Sequence, residues 1–237
     1  METPVFCLVA ATPLKELTMP SEVEPAAPPM GALRVRIFVD FWNLQLTMNE
    51  RLAHDTGERS FPFDWSHFPR WLTTRSAELC GSAVAYEGMH VYASYDPRGN
   101  DGSFKNWIET WLNRQPGVQV ILKERRPKDA PKCPECHATV ERCPSCGAGL
   151  RRTQEKGVDT AIVTDMIRLA WEQSYDIAVL VSSDSDLVPA VEFLDLRGRK
   201  VIQAGFPPTG SHLATACWAS FDLFADRANF RRQPRNH

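Results

Sequence analysis

Short apolar segments alternate with longer segments of helical spacing from residue 34 onward, and the segment at 177–181 is apolar throughout. Solidly apolar strands are typical of parallel sheets that carry helices on both faces. We therefore expect an α/β, Rossmann-like fold with a central parallel sheet. The pattern predicts strands at 34–39, 89–94, 118–122, 177–181 and 200–204, and helices at 65–80 (capped by Asp64), 104–114 (capped by Ser103), 159–173 and 187–196 (closed by Gly198).

Three segments interrupt or flank this pattern. Residues 1–30 include an acidic, proline-rich stretch that cannot form a packed core, so we expect a flexible leader, with Met30 as a possible true start. A cysteine-rich insert covers residues 127–152. Residues 227–237 carry four Arg and no acidic residue, which predicts a basic C-terminal tail. The domain itself is expected to span residues 31–226.

The insert contains two C-x-x-C pairs, Cys133–Cys136 and Cys143–Cys146, which are separated by six residues. Each pair can form a tight turn whose two thiolates point at one ion, and two such turns complete a tetrahedral set of four ligands. Because four thiolates leave no open coordination position, the predicted Zn²⁺ is structural rather than catalytic. Disulfides remain the alternative interpretation of these cysteines.

Other features argue against export and against a haem. Cys133, Cys136 and His137 match a c-type haem attachment motif, but that chemistry requires export and leaves the second cysteine pair unexplained. The first apolar run has only Glu2 before it and therefore lacks the basic start of a signal peptide. No apolar run approaches the ~18 residues of a membrane span. We expect a cytoplasmic protein in which Cys7 lies in the leader and Cys80 and Cys217 are core thiols.

Acidic residues occur directly after two predicted strands and at the start of a predicted helix. Asp40 directly follows the first strand, with Asn43 three residues later; Asp184 and Asp186 follow the fourth strand, and Asp159 opens a helix. Functional residues of open parallel sheets gather at the carboxyl ends of the strands. Carboxylates collected there repel one another unless a cation binds, and oxygen ligands favour Mg²⁺ or Mn²⁺. Taken alone, Asp184 is equally compatible with a helix cap.

At these residues the chain resembles the NYN family of PIN-like nucleases, in particular its bacterial LabA-like branch. The resemblance covers residues 34–225, apart from the insert. It implies a three-layer α/β/α sandwich and a metal-dependent ribonuclease that leaves a 5′-phosphate and a 3′-hydroxyl. It also implies that Asp40, Asp159, Asp184 and Asp186 are the metal-site carboxylates, with Asn43 orienting substrate or water. The matching segments are 37–44, 156–159 continuing to 164–166, and 181–187.

Four residues in or near these motifs need a separate interpretation. Phe41-Trp42 and Ser183 occupy positions where the family often has Gly. Trp42 is expected either to stack on a base at the mouth of the site or to pack under the sheet. Asp165 lies six residues after Asp159, on a different helical face, so a supporting or structural role is expected.

The formal net charge of −2 conceals an uneven distribution. Residues 1–30 carry one Lys and four Glu, whereas residues 123–156 carry nine basic and five acidic side chains. We expect the insert to grip a phosphate backbone and lead a single strand to the acidic residues. A solvated loop, or a hairpin that docks a protein partner, is the alternative. The expected substrate-binding residues are Trp42, Ser182, Ser183, Arg125, Arg126, Arg151, Arg152 and Lys156.

The sequence thus predicts a Mg²⁺- or Mn²⁺-dependent nuclease, specifically an endoribonuclease acting on single-stranded RNA, with DNA as the alternative substrate. A non-catalytic regulator that binds RNA or protein is the main alternative. A phosphatase of the haloacid dehalogenase type is disfavoured, because it needs a second Asp where this chain has Trp42. A homo-oligomer is compatible with the sequence.

Overall fold

The computed structural model describes residues 31–99, 101–150 and 152–233, with the backbone alone at Arg152. The predictions for the leader, including Met30 and Cys7, and for Arg151 lie outside the described residues. None of the helices in these ranges has the length and apolar character that a membrane span requires.

The predicted strands and helices form one alternating α/β chain. The ribbon β4–β5 is the stem of the cysteine-rich insert, and short 3₁₀ turns occupy residues 112–114, 185–187 and 227–230. The elements are β1 (Leu33–Asp40), α1 (Phe41–Thr56), α2 (Phe68–Cys80), β2 (Val84–Tyr95), α3 (Gly102–Thr110), β3 (Val118–Glu124), β4 (Arg126–Lys128), β5 (Arg152–Gln154), α4 (Val158–Trp171), β6 (Ile177–Val181), α5 (Val188–Leu196), β7 (Lys200–Gly205), α6 (Ser211–Ala216) and β8 (Ala219–Asp222).

Six parallel strands make the main sheet, in the order β3-β2-β1-β6-β7-β8. β1 and β6 are neighbours at its centre, with Val39 beside Val181. From this pair the chain proceeds outward in one direction through β2 and β3 and in the other through β7 and β8. The sheet therefore has a topological switch point between β1 and β6, which is where open α/β sheets bind ligands at their carboxyl edge.

Residues of β1 point alternately into two cores. Val35, Ile37 and Val39 pack with α1, α2 and α3, whereas Phe38 packs with α4, α5 and α6. Because each face of the sheet is covered by helices, the strands are apolar on both sides, as their sequences predict. The result is the expected three-layer α/β/α sandwich.

Some predicted boundaries differ from the structure. The helix expected from residue 65 begins at Phe68, although Asp64 Oδ1 does accept hydrogen bonds from the N–H groups of Ser66 and His67, both at 3.1 Å. Ser103 is not a cap, since α3 begins one residue earlier, at Gly102. Helices α1 and α6 and strand β8 are additional to the predicted elements.

The beginning of the predicted basic tail packs against the domain. Phe230 is fully buried in the core beside α2. Arg227 forms an ion pair with Asp55 at 2.6 Å, and Arg231 forms one with Glu58. These two arginines therefore contact the end of α1 and the residues after it.

Candidate metal centre

Asp40 lies where β1 passes directly into α1. It is the last residue of the strand and the N-cap of the helix, and its Oδ1 accepts a hydrogen bond from the N–H of Asn43 at 3.2 Å. Side chains alternate along a strand, so Asp40 shares the sheet face of Phe38, the face that α4 covers. The side chain is only 5% exposed. The strand and the helix therefore hold one carboxylate in a buried position at the switch point.

The loop after β6 brings the second acidic pair to the same edge. Asn43 Oδ1 accepts a hydrogen bond from the N–H of Ser183 at 3.0 Å, which ties α1 to this loop. Ser182 Oγ accepts from the N–H of Asp184 at 3.1 Å. Asp184 Oδ1 in turn accepts from the N–H of Asp186 at 2.9 Å, so Asp184 does cap a short 3₁₀ turn. The cap engages only Oδ1 of Asp184. The side chain is half-buried, and its charge acts on Asp40.

Ser183 occupies a close-packed position in this loop. A Cβ added at Gly210 would lie 2.8 Å from the Cα and Cβ of Ser183, so the glycine makes room for the serine. The Ser183 hydroxyl is buried and has no hydrogen-bond partner among the described residues. Gln203 on β7 supports the loop by donating a hydrogen bond from Nε2 to the Ser182 carbonyl at 3.0 Å.

Asp159 joins this acidic group from the start of α4. Gly157, at φ +83°, turns the chain into α4, and Asp159 lies in the first turn of that helix. Burial, together with the charges of Glu155, Asp159 and Asp184, raises the pKa of Asp40 to about 7, and the hydrogen bond from the Asn43 N–H partly opposes this rise. Burial also raises the pKa of Asp159, together with the charges of Asp184, Glu155 and Asp186. The carboxylates therefore act on one another, as a site that attracts a cation would require.

Glu155 is a member of this group that the sequence analysis does not predict. It lies between β5 and Gly157, and its carboxylate accepts a hydrogen bond from the Ser94 hydroxyl at the end of β2. No periodicity or known spacing marks a Glu at this position, because the fold alone carries it to the sheet edge.

Trp42 packs beside the site rather than standing open at its mouth. Its indole is half-buried against Phe41 and Phe104, and its Nε1 donates to the Ser94 carbonyl at 2.6 Å. The guanidinium of Arg125 lies 5.4 Å from the centre of the indole ring and donates through Nε to Ser94 Oγ at 3.0 Å. Arg125 thus connects the insert stem to the acidic residues through Ser94.

Asp165 has partners of its own away from the other carboxylates. Its Oδ2 accepts from the Tyr92 hydroxyl at 2.9 Å, and its Oδ1 forms an ion pair with Arg168 at 3.1 Å. Both contacts join α4 to the neighbouring strand and to its own next turn. The geometry agrees with a structural role.

The sequence profile of the NYN domain matches residues 34–223, most of the chain. This chain belongs to the NYN domain family. NYN domains are part of the PIN-like nuclease superfamily. The crystal structure of a protein of unknown function from Vibrio parahaemolyticus is similar in fold, with a TM-score of 0.52 and 19% identity over 87% of this chain and 100% of that one. No curated protein matches the sequence.

The insert in this NYN domain contains two structurally repeated loops beyond its stem, at residues 132–140 and 142–150. In the first, Cys133 N–H donates to the Ala138 carbonyl at 2.9 Å and Cys133 O accepts from His137 N–H at 3.0 Å. The second repeats these bonds ten residues later, at 2.8 Å each, between Cys143 and Ala148 and between Gly147 and Cys143. His137 and Gly147 occupy the same left-handed position, at φ +57° and +72°.

Each loop brings backbone donors to its first thiol. The N–H groups of Cys136 and Glu135 lower the pKa of Cys133, and those of Cys146 and Ser145 lower the pKa of Cys143. Such donors stabilise the thiolate, the form that binds a metal. The described cysteines form no disulfide.

Neither the carboxylates around Asp40 nor the thiols of the insert form a closed coordination cage. Within residues 31–99, 101–150 and 152–233, no group of three or more His, Cys, Asp or Glu side chains is arranged to hold a metal ion. The carboxylates fit a hard cation by donor type, and Mg²⁺ is usually held by one or two carboxylates together with waters. The thiols fit Zn²⁺ by type and by the two repeated turns.

Proposed function

We propose that this NYN domain is a Mg²⁺- or Mn²⁺-dependent ribonuclease that hydrolyses phosphodiester bonds in single-stranded RNA. The observation that carries the proposal is the buried Asp40 carboxylate at the switch point of the sheet, with its pKa raised to about 7 among Glu155, Asp159 and Asp184. Neighbouring carboxylates repel one another and destabilise the fold, and such clusters are typical of functional sites.

The residues of the site have different roles in the proposed reaction. Asp40, Asp159 and Asp184 would supply the carboxylate oxygens, one or two of these residues holding the cation together with waters. Asp186 lies at the exposed rim and Glu155 on the insert side. When bound, the cation lowers the pKa of a coordinated water and stabilises the charge that develops on the phosphate. Asn43 acts through the loop after β6, because its bond to the Ser183 N–H sets where Asp184 lies.

The cleavage assay compares wild type with Asp40→Asn and Asp184→Asn on labelled single-stranded RNA in Mn²⁺. Asp195→Asn, an exposed position on α5, is the matched control. We expect cleavage by wild type and the control, with a loss of at least about 100-fold in the two site variants. Equal cleavage by all four proteins, or no cleavage by any, would overturn the enzymatic proposal and favour a non-catalytic binding role.

We further propose that Cys133, Cys136, Cys143 and Cys146 bind one structural Zn²⁺. The repeated turns and their backbone donors support this proposal. Purified wild type and Cys217→Ser should each contain one equivalent of zinc by elemental analysis, whereas Cys136→Ser/Cys146→Ser should contain almost none. Zinc in the double variant at the wild-type level would contradict the proposal.

A further inference from the structure

A polar cleft lies beside the acidic residues, between the loop after β2, the end of β3 and the insert stem. Its volume is about 370 Å³, within the range of ligand sites. Five of its lining residues are basic and two are acidic, which gives the lining a formal charge of +3. The basic residues are Arg98, Lys123, Arg125, Arg126 and Lys156.

The two acidic residues of the cleft are already engaged. Asp96 Oδ2 accepts from the Thr153 hydroxyl at 3.3 Å, and Asp96 Oδ1 accepts from the N–H of Arg98 at 2.9 Å. Glu124 Oε1 accepts from the Tyr95 hydroxyl at 2.5 Å. In contrast, the exposed side chains of Arg98, Lys123 and Arg126 have no ion-pair partner within the part of the chain that the structure describes. The cleft thus presents unneutralised positive charge.

One wall of the cleft is joined to the acidic residues by direct contacts. Arg125 lines the cleft, stacks on Trp42 and donates to Ser94 Oγ, which also contacts Glu155. The N–H of Arg125 further donates to the Tyr95 carbonyl at 2.8 Å, which fixes the stem to β2. Arg125 and Ser94 therefore link the wall of the cleft to Glu155, a member of the acidic group.

We infer that this cleft binds a backbone phosphate of the nucleic-acid strand next to the phosphate that is cleaved, with Arg98, Lys123 and Arg126 as its contacts. The inference rests on the proposed function for the identity of the neighbouring site. Arg98 lies on the loop after β2, outside the basic stretch at residues 123–156, so the phosphate-binding surface extends beyond the flanks that the sequence indicates. The strand would run from the cleft, past Arg125, to the acidic residues.

The test measures binding instead of cleavage, so that it is independent of catalytic activity. In the Asp40→Asn background, a labelled single-stranded RNA is titrated by fluorescence anisotropy at several salt concentrations. The variant is Arg98→Ala/Lys123→Ala. The charge-matched control is Arg70→Ala/Arg114→Ala, which changes exposed arginines on α2 and before β3, away from the cleft.

We expect the cleft variant to lose about tenfold in affinity at moderate salt, and its slope of log K against log salt to fall by about 0.7 for each phosphate contact removed. The control should bind as the background protein does. Arg98→Lys/Lys123→Arg should restore most of the affinity, because it keeps both charges.

Unchanged affinity and salt slope in the cleft variant would overturn the inference, even if wild type cleaves RNA. Equal losses in the cleft variant and the control would also overturn it, because binding would then reflect net charge alone. Weakened binding confined to the cleft variant supports the inference. If wild type then cleaves no RNA, only the proposed function is overturned.

Discussion

Asp40 has two roles that depend on opposite properties of its carboxylate. As the N-cap of α1 it accepts a hydrogen bond, which an ionised carboxylate does well. As a buried group among other carboxylates it favours the protonated form, so its pKa rises from 3.8 to about 7. A divalent cation removes this conflict by compensating the negative charges. The residue is therefore expected to weaken the metal-free fold in order to serve the metal-bound one.

The pH dependence of stability follows from this shift. Between pH 4 and pH 7 the unfolded chain releases a proton that folded Asp40 retains, so the free energy of unfolding should fall as the pH rises through this window. Asp40→Asn keeps the capping oxygen and removes the titration. In thermal unfolding without Mg²⁺ or Mn²⁺, the difference in stability between variant and wild type should change in favour of the variant as the pH rises from 5 to 8, because only wild type loses stability through Asp40. Parallel pH profiles for the two proteins would refute this assignment.

Asn43 is expected to act on the loop after β6. Replacing it with Ala leaves the N–H of the buried Ser183 without its side-chain acceptor, which costs about 1–3 kcal/mol. Asn43→Ala should therefore lower the unfolding free energy by that amount and weaken Mn²⁺ binding, because Asp184 is no longer fixed. Glu50→Ala, at an exposed position on α1, serves as the control in denaturant unfolding. A loss equal to that of the control would contradict this role.

At the scale of the elements, the turn between β5 and α4 decides where Asp159 lies. Gly157 adopts φ +83°, and no other atom lies within 4 Å of a Cβ added there. Gly157→Ala therefore tests backbone strain alone, which is worth about 1–2 kcal/mol in the left-handed region. We expect that loss of stability together with weaker metal binding. Gly102→Ala, which also meets no neighbour but lacks a positive φ, should show neither effect in the same unfolding and binding measurements.

The sequence predicts the long apolar elements well and the short ones poorly. β6 has the predicted bounds because its five apolar residues are buried on both faces. β8 and α6 have only four and six residues, too few to show a period. α1 is different, since its buried Leu44, Met48 and Leu52 recur every four residues, and this signal was present in the sequence.

At the scale of the whole molecule, strand order determines which residues meet. The sequence places Asp40 and Asp184 after strands, but only the order β2-β1-β6 makes those strands neighbours. Glu155 and the basic cleft depend still more on tertiary structure, because they join the insert stem to the end of β2. These parts of the site could not be predicted from local pattern, which carries no information about strand order.

The insert is expected to be separable from the domain. Residues 129–151 can be replaced by Asn-Gly, because Lys128 and Arg152 are paired at the end of the β4–β5 ribbon and this dipeptide suits a two-residue hairpin. The shortened protein should keep its thermal transition and Mn²⁺-dependent cleavage, lose its zinc and bind RNA more weakly. Circular dichroism and elemental analysis check the first and third outcomes. An unfolded product would show that the insert is part of the folding core.

The central claim, that the carboxylates around Asp40 bind the cation that supports RNA cleavage, is tested most directly by titrating Mn²⁺ under electron paramagnetic resonance and measuring cleavage in the same samples. We predict that free Mn²⁺ signal is lost on binding to wild type, that cleavage rises in parallel with occupancy, and that Asp40→Asn lacks both. Cleavage that persists without bound Mn²⁺, or Mn²⁺ binding by Asp40→Asn equal to that of wild type, would contradict the claim.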